Sequence, residues 1–421
     1  MVFFMSDYWT NFMKAVIQMN HKLSKLNNPE NAGRWIFVVL GIIIMMCLGT
    51  VYSWSVFRLP IEKFYEIGST QSGLPYMFFL ASYSLFMLLT GKHLDRYSPS
   101  IIISFGAILV ALGWVLSAYA PNIYVLTITY GIIIGAGVGI AYGAPMTVVA
   151  KWFPEKKGLV VGIVLIGFGL SPFITAPLAR NLIESYGIEK AFLILGISFG
   201  VMLPLLSTAF KYPSKEQDKS LISSSSTKKH VNDINTSQMI KSHGFKGLYF
   251  NFLIGTMIGL MLIGMTSNVG VELIKLSPKT VALLISVFAV FNGLGRPVFG
   301  LLTDKLSYKK SMLISYILII IAALLMLFAN DGSIILFSIS FSIFWFNLGG
   351  WLAIAPTSTL IMYGTKHYSQ NYGVVFTAYG IGAIIGVLSS GLIIDVLKNY
   401  HSIFYFVIGL CIIGVVSIKV H

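Results

Sequence analysis

TVALLISVFAVFNGLGRPVFGLLT, residues 280–303, decides how the chain is read. A helix needs about 20 apolar residues to cross a bilayer, and this run supplies them with one exception, Arg296. The run is centred near Phe291, so Arg296 lies roughly 7 Å from the middle at about 1.5 Å per residue. A charge at such depth costs about 2.5–3.5 kcal/mol on insertion scales. Arg296 is the only Lys, Arg, Asp, Glu or His that the sequence places well inside a membrane-length segment. Intramembrane charges usually face a water-filled path and hold something of opposite sign, so an anion site is expected here. The plainer alternative is an arginine that snorkels or pairs with a carbonyl.

Composition extends this reading to the whole chain. The 421 residues are 56% hydrophobic and only 10% charged, with a mean hydropathy of +0.82, whereas soluble domains carry about 25% charged residues. Twelve spans are predicted, at 34–57, 74–91, 100–120, 122–150, 158–180, 191–210, 247–270, 280–303, 311–329, 332–362, 372–394 and 402–418. The fold class is an all-α membrane protein of twelve transmembrane helices in two six-helix halves. A tail (1–33) precedes halves at 34–210 and 247–421, and the Ser-rich basic stretch 211–246 reads as a flexible cytoplasmic linker. The tail shows no cleavable signal pattern; it reads equally as a surface amphipathic helix or a frayed end.

The net charge of +14 would suggest nucleic acid in a soluble protein. Its placement here reports topology instead. With the amino terminus inside, 21 Lys and Arg fall in inner loops and 7 in outer ones, against 8 and 7 acidic residues. That follows the positive-inside rule with both termini cytoplasmic. The expected location is the plasma membrane, the expected partners a small anion and the lipid bilayer, and the expected state a monomer that binds no nucleic acid.

The halves echo one another. GKHLDRYSPS starts at Gly91 and GLLTDKLSYKK at Gly300; Gly91 to Gly300 and Asp95 to Asp304 share an offset of 209. Transporters built from repeated halves carry such weak internal symmetry. The pattern resembles the cytoplasmic loop signature of the major facilitator superfamily, although the first copy has Ser98-Pro99-Ser100 where that family has Gly-Arg-Arg/Lys. GTVYSWSVF (49–57), AKWFPEKKGLVVGIVLIGFG (150–169) and FNGLGRPVFGLLTDKLSYKK (291–310) further resemble the oxalate/formate antiporter branch, close to the monocarboxylate porters.

The resemblance implies that Arg296 is the carboxylate ligand. It also implies that Tyr379 stands where the family has a second cation that helps grip dicarboxylates, and one cation suits one carboxylate. Tyr52 and Tyr142 align with site tyrosines. They can equally be helix- or lipid-facing aromatics. Asn292, one turn before Arg296, either orients it or makes an ordinary helix contact. Trp345, Trp351 and Phe376 are further candidates for lining the site, with packing as the alternative for each. The resemblance also makes Gly91, Asp95, Arg96, Gly300, Asp304 and Lys305 gate residues, their charges holding the outward-facing state.

The sequence shows no Asp or Glu inside a span, and its histidines fall in loops or at span ends. Exchange of anions is therefore favoured, because an empty site leaves a bare buried charge that should change state slowly. Proton symport and a drug or neutral-solute carrier stay open. No nucleotide-binding, zinc-protease or Cys/His metal spacing is present, so no cofactor or metal is expected and the chain does not read as an enzyme.

Overall fold

Among the described residues twelve helices are long and apolar enough to cross a membrane, as the hydropathy predicts. The first six are α1 (Trp35–Tyr65), α2 (Ser69–Gly91), α3 (Pro99–Ser117), α4 (Ile123–Trp152), α5 (Leu159–Tyr186) and α6 (Ile188–Ser207). The last six are α7 (His243–Gly264), α8 (Pro278–Leu306), α9 (Tyr308–Leu327), α10 (Ile334–Tyr363), α11 (Gln370–Leu397) and α12 (His401–Ile418). The structure is a computed structural model that describes residues 33–91, 93–94, 96–153, 157–213, 233–364 and 367–420. Helix is the natural outcome for such runs, since in lipid every backbone amide must find its partner within the segment. Among the described residues there is no strand.

Polar residues mark where helices begin. Asn122 accepts from the amides of Tyr124 and Val125 at the start of α4. Ser277 accepts from Thr280 before Pro278 opens α8. Each cap satisfies amides that the first turn leaves free. The first six helices pack on one another chiefly through α1–α5, α2–α4 and α3–α6, the last six through α7–α11, α8–α10 and α9–α12. The two groups meet along α2–α11 and α5–α8, so any site between them is bounded by these four helices with α1, α4, α7 and α10 behind.

Glycines set the closeness of several contacts. Gly131, Gly135 and Gly139 recur every four residues on α4 and face the α2 backbone at Phe78, Phe79 and Tyr83, the small-residue packing expected between membrane helices. A Cβ at Gly135 would lie 2.5 Å from the Phe79 carbonyl, whereas one at Gly162 on α5 would meet nothing within 4 Å. Gly135→Val is accordingly expected to lower the apparent Tm in detergent by several degrees, overpacking costing about 1–3 kcal/mol. Gly162→Ala is expected to leave it unchanged.

Several boundaries differ from the sequence reading, and one difference matters. α1 does not stop at Phe57 but continues to Tyr65, past Pro60, so Arg58 and Glu62 lie on its last turns. Arg58 is 1% exposed and pairs with Glu62. Arg296 is therefore not the only charge within a membrane-length helix. Asp395 likewise falls inside α11. The linker reading covers residues 214–232, outside the described residues, as does the tail reading for 1–32. Within 233–246, however, a short helix, Thr236–Lys241, forms where a flexible chain was predicted. An Asn235/Gln238 capping box starts it, and Thr236 bonds Asn371 on α11. Ser242 then caps α7, which begins at His243 rather than 247.

Candidate functional site

Arg296 is 4% exposed at mid-depth on α8. Its Nη1 donates to the Leu165 carbonyl of α5 at 2.6 Å. Its Nε and Nη2 have no hydrogen-bond partner. These two nitrogens form one edge of the guanidinium, the edge that meets a carboxylate with two parallel bonds. The tether through Nη1 thus orients the fork and leaves its recognition edge free. The carbonyl pairing foreseen as an alternative to an anion site is present, but it engages only one nitrogen.

Close backbone approach makes this possible. On α5, a Cβ at Gly169 would lie 2.5 Å from the Asn292 Oδ1 and 3.4 Å from the Arg296 Nε. On the other side of α8, Gly295 and Gly349 let α8 and α10 touch backbone to backbone, at the Phe346 and Asn292 carbonyls respectively. Asn292 donates through Nδ2 to the Trp345 carbonyl at 3.0 Å, while its Oδ1 has no partner. The pair therefore presents two free donors on Arg296 and one free acceptor on Asn292.

Aromatic residues enclose this centre. The Tyr52 and Tyr379 hydroxyls are hydrogen-bonded at 3.0 Å, joining α1 to α11 across the two groups of helices. Gly49–Ser53 is a 3-10 segment within α1, and it carries Tyr52. Tyr379 stacks on Phe376 at 4.8 Å, their spacing of three placing both on one helix face. Tyr142 sits edge-on to Tyr83 at 5.1 Å and to Phe168 at 5.3 Å. Tyr52, Tyr142 and Tyr372 all lie within electrostatic range of the Arg296 charge, and the Tyr142 hydroxyl also comes close enough to interact with the guanidinium directly.

Tyr83 was missed by the sequence reading. Its ring contacts Tyr142, Phe168, Phe376 and Tyr379, linking the aromatic residues of α2, α4, α5 and α11. Tyr76 lies seven residues earlier, two turns along the same face, and that spacing is the one signal that would have marked it.

Two candidates stand elsewhere. The Trp345 indole donates to the Thr266 hydroxyl and packs by Phe288; what it contributes near Arg296 is its main-chain carbonyl. Trp351 is not brought to the arginine at all. It lies against Tyr316 of α9 at 5.2 Å and fills the slot opened by Gly255 of α7. The reason is helical phase: six residues at about 100° each leave Trp345 and Trp351 roughly 120° apart, so both cannot line one cavity.

The expected gate charges do not form ion pairs among the described residues. Arg96, Asp304 and Lys305 are exposed, and Asp95 lies outside the described residues. A Cβ at Gly91 or at Gly300 would meet nothing within 4 Å. The hydrogen bonds joining the two groups of helices instead lie at mid-depth, as with Tyr52–Tyr379, or at the end away from the linker, where Arg58 reaches the Gly264 carbonyl. The gate reading concerned contacts that hold the opposite state, with the linker end closed. Among the described residues no three His, Cys, Asp or Glu could hold a metal ion, and both cysteines are free and buried.

A family model described as Major Facilitator Superfamily matches residues 35–362 and 248–420. An oxalate:formate antiporter of Oxalobacter formigenes is 27% identical over 377 residues, covering 86% of this chain and 87% of that protein. Monocarboxylate transporter 12 of Xenopus laevis is 24% identical over 398 residues, covering 89% and 86%. Among solved structures, a bacterial homolog of the human lysosomal transporter Spinster, in an inward-facing and unoccupied conformation, superposes with a TM-score of 0.65 at 15% identity, covering 93% of this chain and 96% of that one.

Proposed function

The chain belongs to the major facilitator superfamily, and from that premise we propose that it carries small monocarboxylates such as formate, lactate or pyruvate across the membrane by alternating access, as an anion exchanger. It is a multi-pass membrane transporter, related to an oxalate:formate antiporter and to monocarboxylate transporters, and not an enzyme. The observation that carries the narrower reading is the free Nε/Nη2 edge of Arg296 at mid-depth. A buried guanidinium with an open fork is electrostatically incomplete, and a planar carboxylate completes it with two charge-assisted bonds. Tyr379 supplies a hydroxyl, not a second cation, on α11, which suits a cargo with one carboxylate.

Exchange follows from the same incompleteness. With anion bound, the site is neutral when the helices shift; empty, it moves a bare charge, which is unfavourable in a low-dielectric interior. Glu62 and Asp395 do not alter this. The first is bonded to Ser72 and Asn268 and the second to the Ser69 and Thr70 amides, at the far end rather than beside Arg296. The excess of Lys and Arg in the loops on the linker side supports a plasma-membrane protein with both termini in the cytoplasm.

The test is purified protein in liposomes loaded with unlabelled formate, with entry of labelled formate, lactate, pyruvate and oxalate measured. Entry that requires internal anion is expected. Entry into empty liposomes driven by an inward proton gradient would establish symport instead, and no carboxylate entry under either condition would return the chain to the neutral-solute or drug carriers.

A further inference from the structure

The end of the molecule away from the linker holds a second polar cluster that the transport reading does not use. Arg58 of α1 donates to the Ser72 hydroxyl at 2.9 Å, to the Ser69 carbonyl, and across the interface to the Gly264 carbonyl at 3.0 Å. Gly264 ends α7; the chain continues through a short turn, Thr266–Asn268, and a wide turn, Val269–Leu273. Glu62 accepts from Ser72 at 2.6 Å and from the Asn268 amide of that same broken stretch at 3.2 Å. Asp395 of α11 accepts from the amides of Ser69 and Thr70 at 3.0 and 2.9 Å, capping α2 from the opposite group of helices. Tyr400 stands beside this cluster, its phenol pushed up to about 12 by burial and the Glu62 carboxylate, so it stays protonated.

We propose that Arg58 and Glu62 form a two-position latch: when this end is closed Arg58 reaches the last residue of α7 and Glu62 the turn after it, and the two close on one another when it opens. The Arg58 Nε and Glu62 Oε1 are 3.6 Å apart, a pairing too long for a hydrogen bond. Both groups are drawn away, to the Gly264 carbonyl and the Asn268 amide. Alternating access requires the two halves to part here. Parting removes those two partners; Arg58 keeps Ser72 and Ser69 and Glu62 keeps Ser72, so each charged group is left one hydrogen bond short, which is costly for a charged group. The i,i+4 spacing on α1 supplies the remedy, because residues four apart on a helix face each other. The carboxylate then meets the guanidinium directly, and neither charge is left unpaired in either state. Such a pair of discrete, fully satisfied arrangements is what a gate needs. A cleft of about 250 Å³ lined in part by Lys63, Arg180, Ser267 and Glu272 already lies at this end; unlatching would extend it inward past Tyr76, whose ring lies against Gly264.

Accessibility of a cysteine at Tyr76 tests the latch without any cargo, so its outcome is independent of the carboxylate reading. Tyr76 is fully buried, and the native Cys47 and Cys411 are buried too, which keeps the background low. Tyr76→Cys protein in liposomes is treated with a membrane-impermeant maleimide from the far side. Asn268→Ala, which removes a partner of the closed position only, is expected to raise labelling at least threefold, and Arg58→Lys, which cannot span the same acceptors, to raise it likewise. Adding Thr70→Cys/Gly391→Cys, two positions in backbone contact across α2 and α11, is expected to return labelling to baseline when oxidised and release it on reduction. Unchanged labelling in both Asn268→Ala and Arg58→Lys, in protein of parental Tm, overturns the latch. So does raised labelling that the oxidised pair fails to suppress.

Discussion

Arg296→Gln is expected to lower labelled-formate exchange in liposomes at least about 100-fold. Each charge-assisted bond to the fork contributes about 1.5–3 kcal/mol, so losing two removes about 3–6 kcal/mol, and about 1.4 kcal/mol is tenfold. Arg296→Lys is expected to fare little better, because an ammonium is a point charge that cannot reproduce two parallel bonds. The protein should still insert and keep its Tm, since the change removes a buried charge with two unpartnered nitrogens. That combination separates a binding role from a structural one. Exchange near the parental rate in well-inserted Arg296→Gln protein would remove the carboxylate reading altogether.

Tyr379→Lys should change which anion is preferred. Tyr379 is fully buried and its hydroxyl bonds Tyr52. A lysine there adds a positive charge to the aromatic enclosure, beside Phe376 and Tyr52, at the position where the resemblance implies a second cation. Oxalate is then expected to compete with formate about 10–100-fold more effectively than in the parent, one charge-assisted bond contributing about 1.5–3 kcal/mol. Formate exchange should slow, because one monoanion no longer neutralises the site. The measurement is inhibition of labelled-formate exchange by unlabelled oxalate in the two proteins. An unchanged ratio would mean that position 379 does not face the cargo.

The helices were legible because a bilayer imposes one requirement, a long apolar run, and hydropathy reads that requirement directly. The end of α1 was not legible. Arg58, Glu62 and Lys63 look like a loop until Ser72, the Gly264 carbonyl and Asn268 are placed around the first two, and these come from helices distant in sequence. The i,i+4 spacing of Arg58 and Glu62 was visible, yet nothing local shows that a helix goes on to bury it. At the site, Arg296 and Asn292 stood out because polar atoms in an apolar run are rare. The aromatics did not, since 14% of the chain is aromatic and hydropathy cannot say whether a ring faces lipid, a neighbouring helix or a cavity. Helical phase alone would have separated Trp345 from Trp351. Tyr83 needed the tertiary contacts of four helices. The gate reading of the charges near Asp304 came from the resemblance, since nothing in their local spacing separates a gate from solvated loop charges.

If Arg296 is the anion ligand, it would also make the transporter sensitive to voltage. Moving one elementary charge through a potential of 100 mV is worth about 2.3 kcal/mol. With the charges of Arg58 and Glu62 cancelling at the far end, the guanidinium at mid-depth would be the charge that a reorientation of the site carries. Occupied by a monoanion, the site is electrically silent and exchange ignores the membrane potential. Empty, it carries one positive charge, and a potential negative on one side draws it to face that side. Occupied by a dianion, it carries one negative charge and is drawn the other way. The cell's membrane potential would thus act as a rectifier, setting where the vacant carrier waits and which anion it meets first.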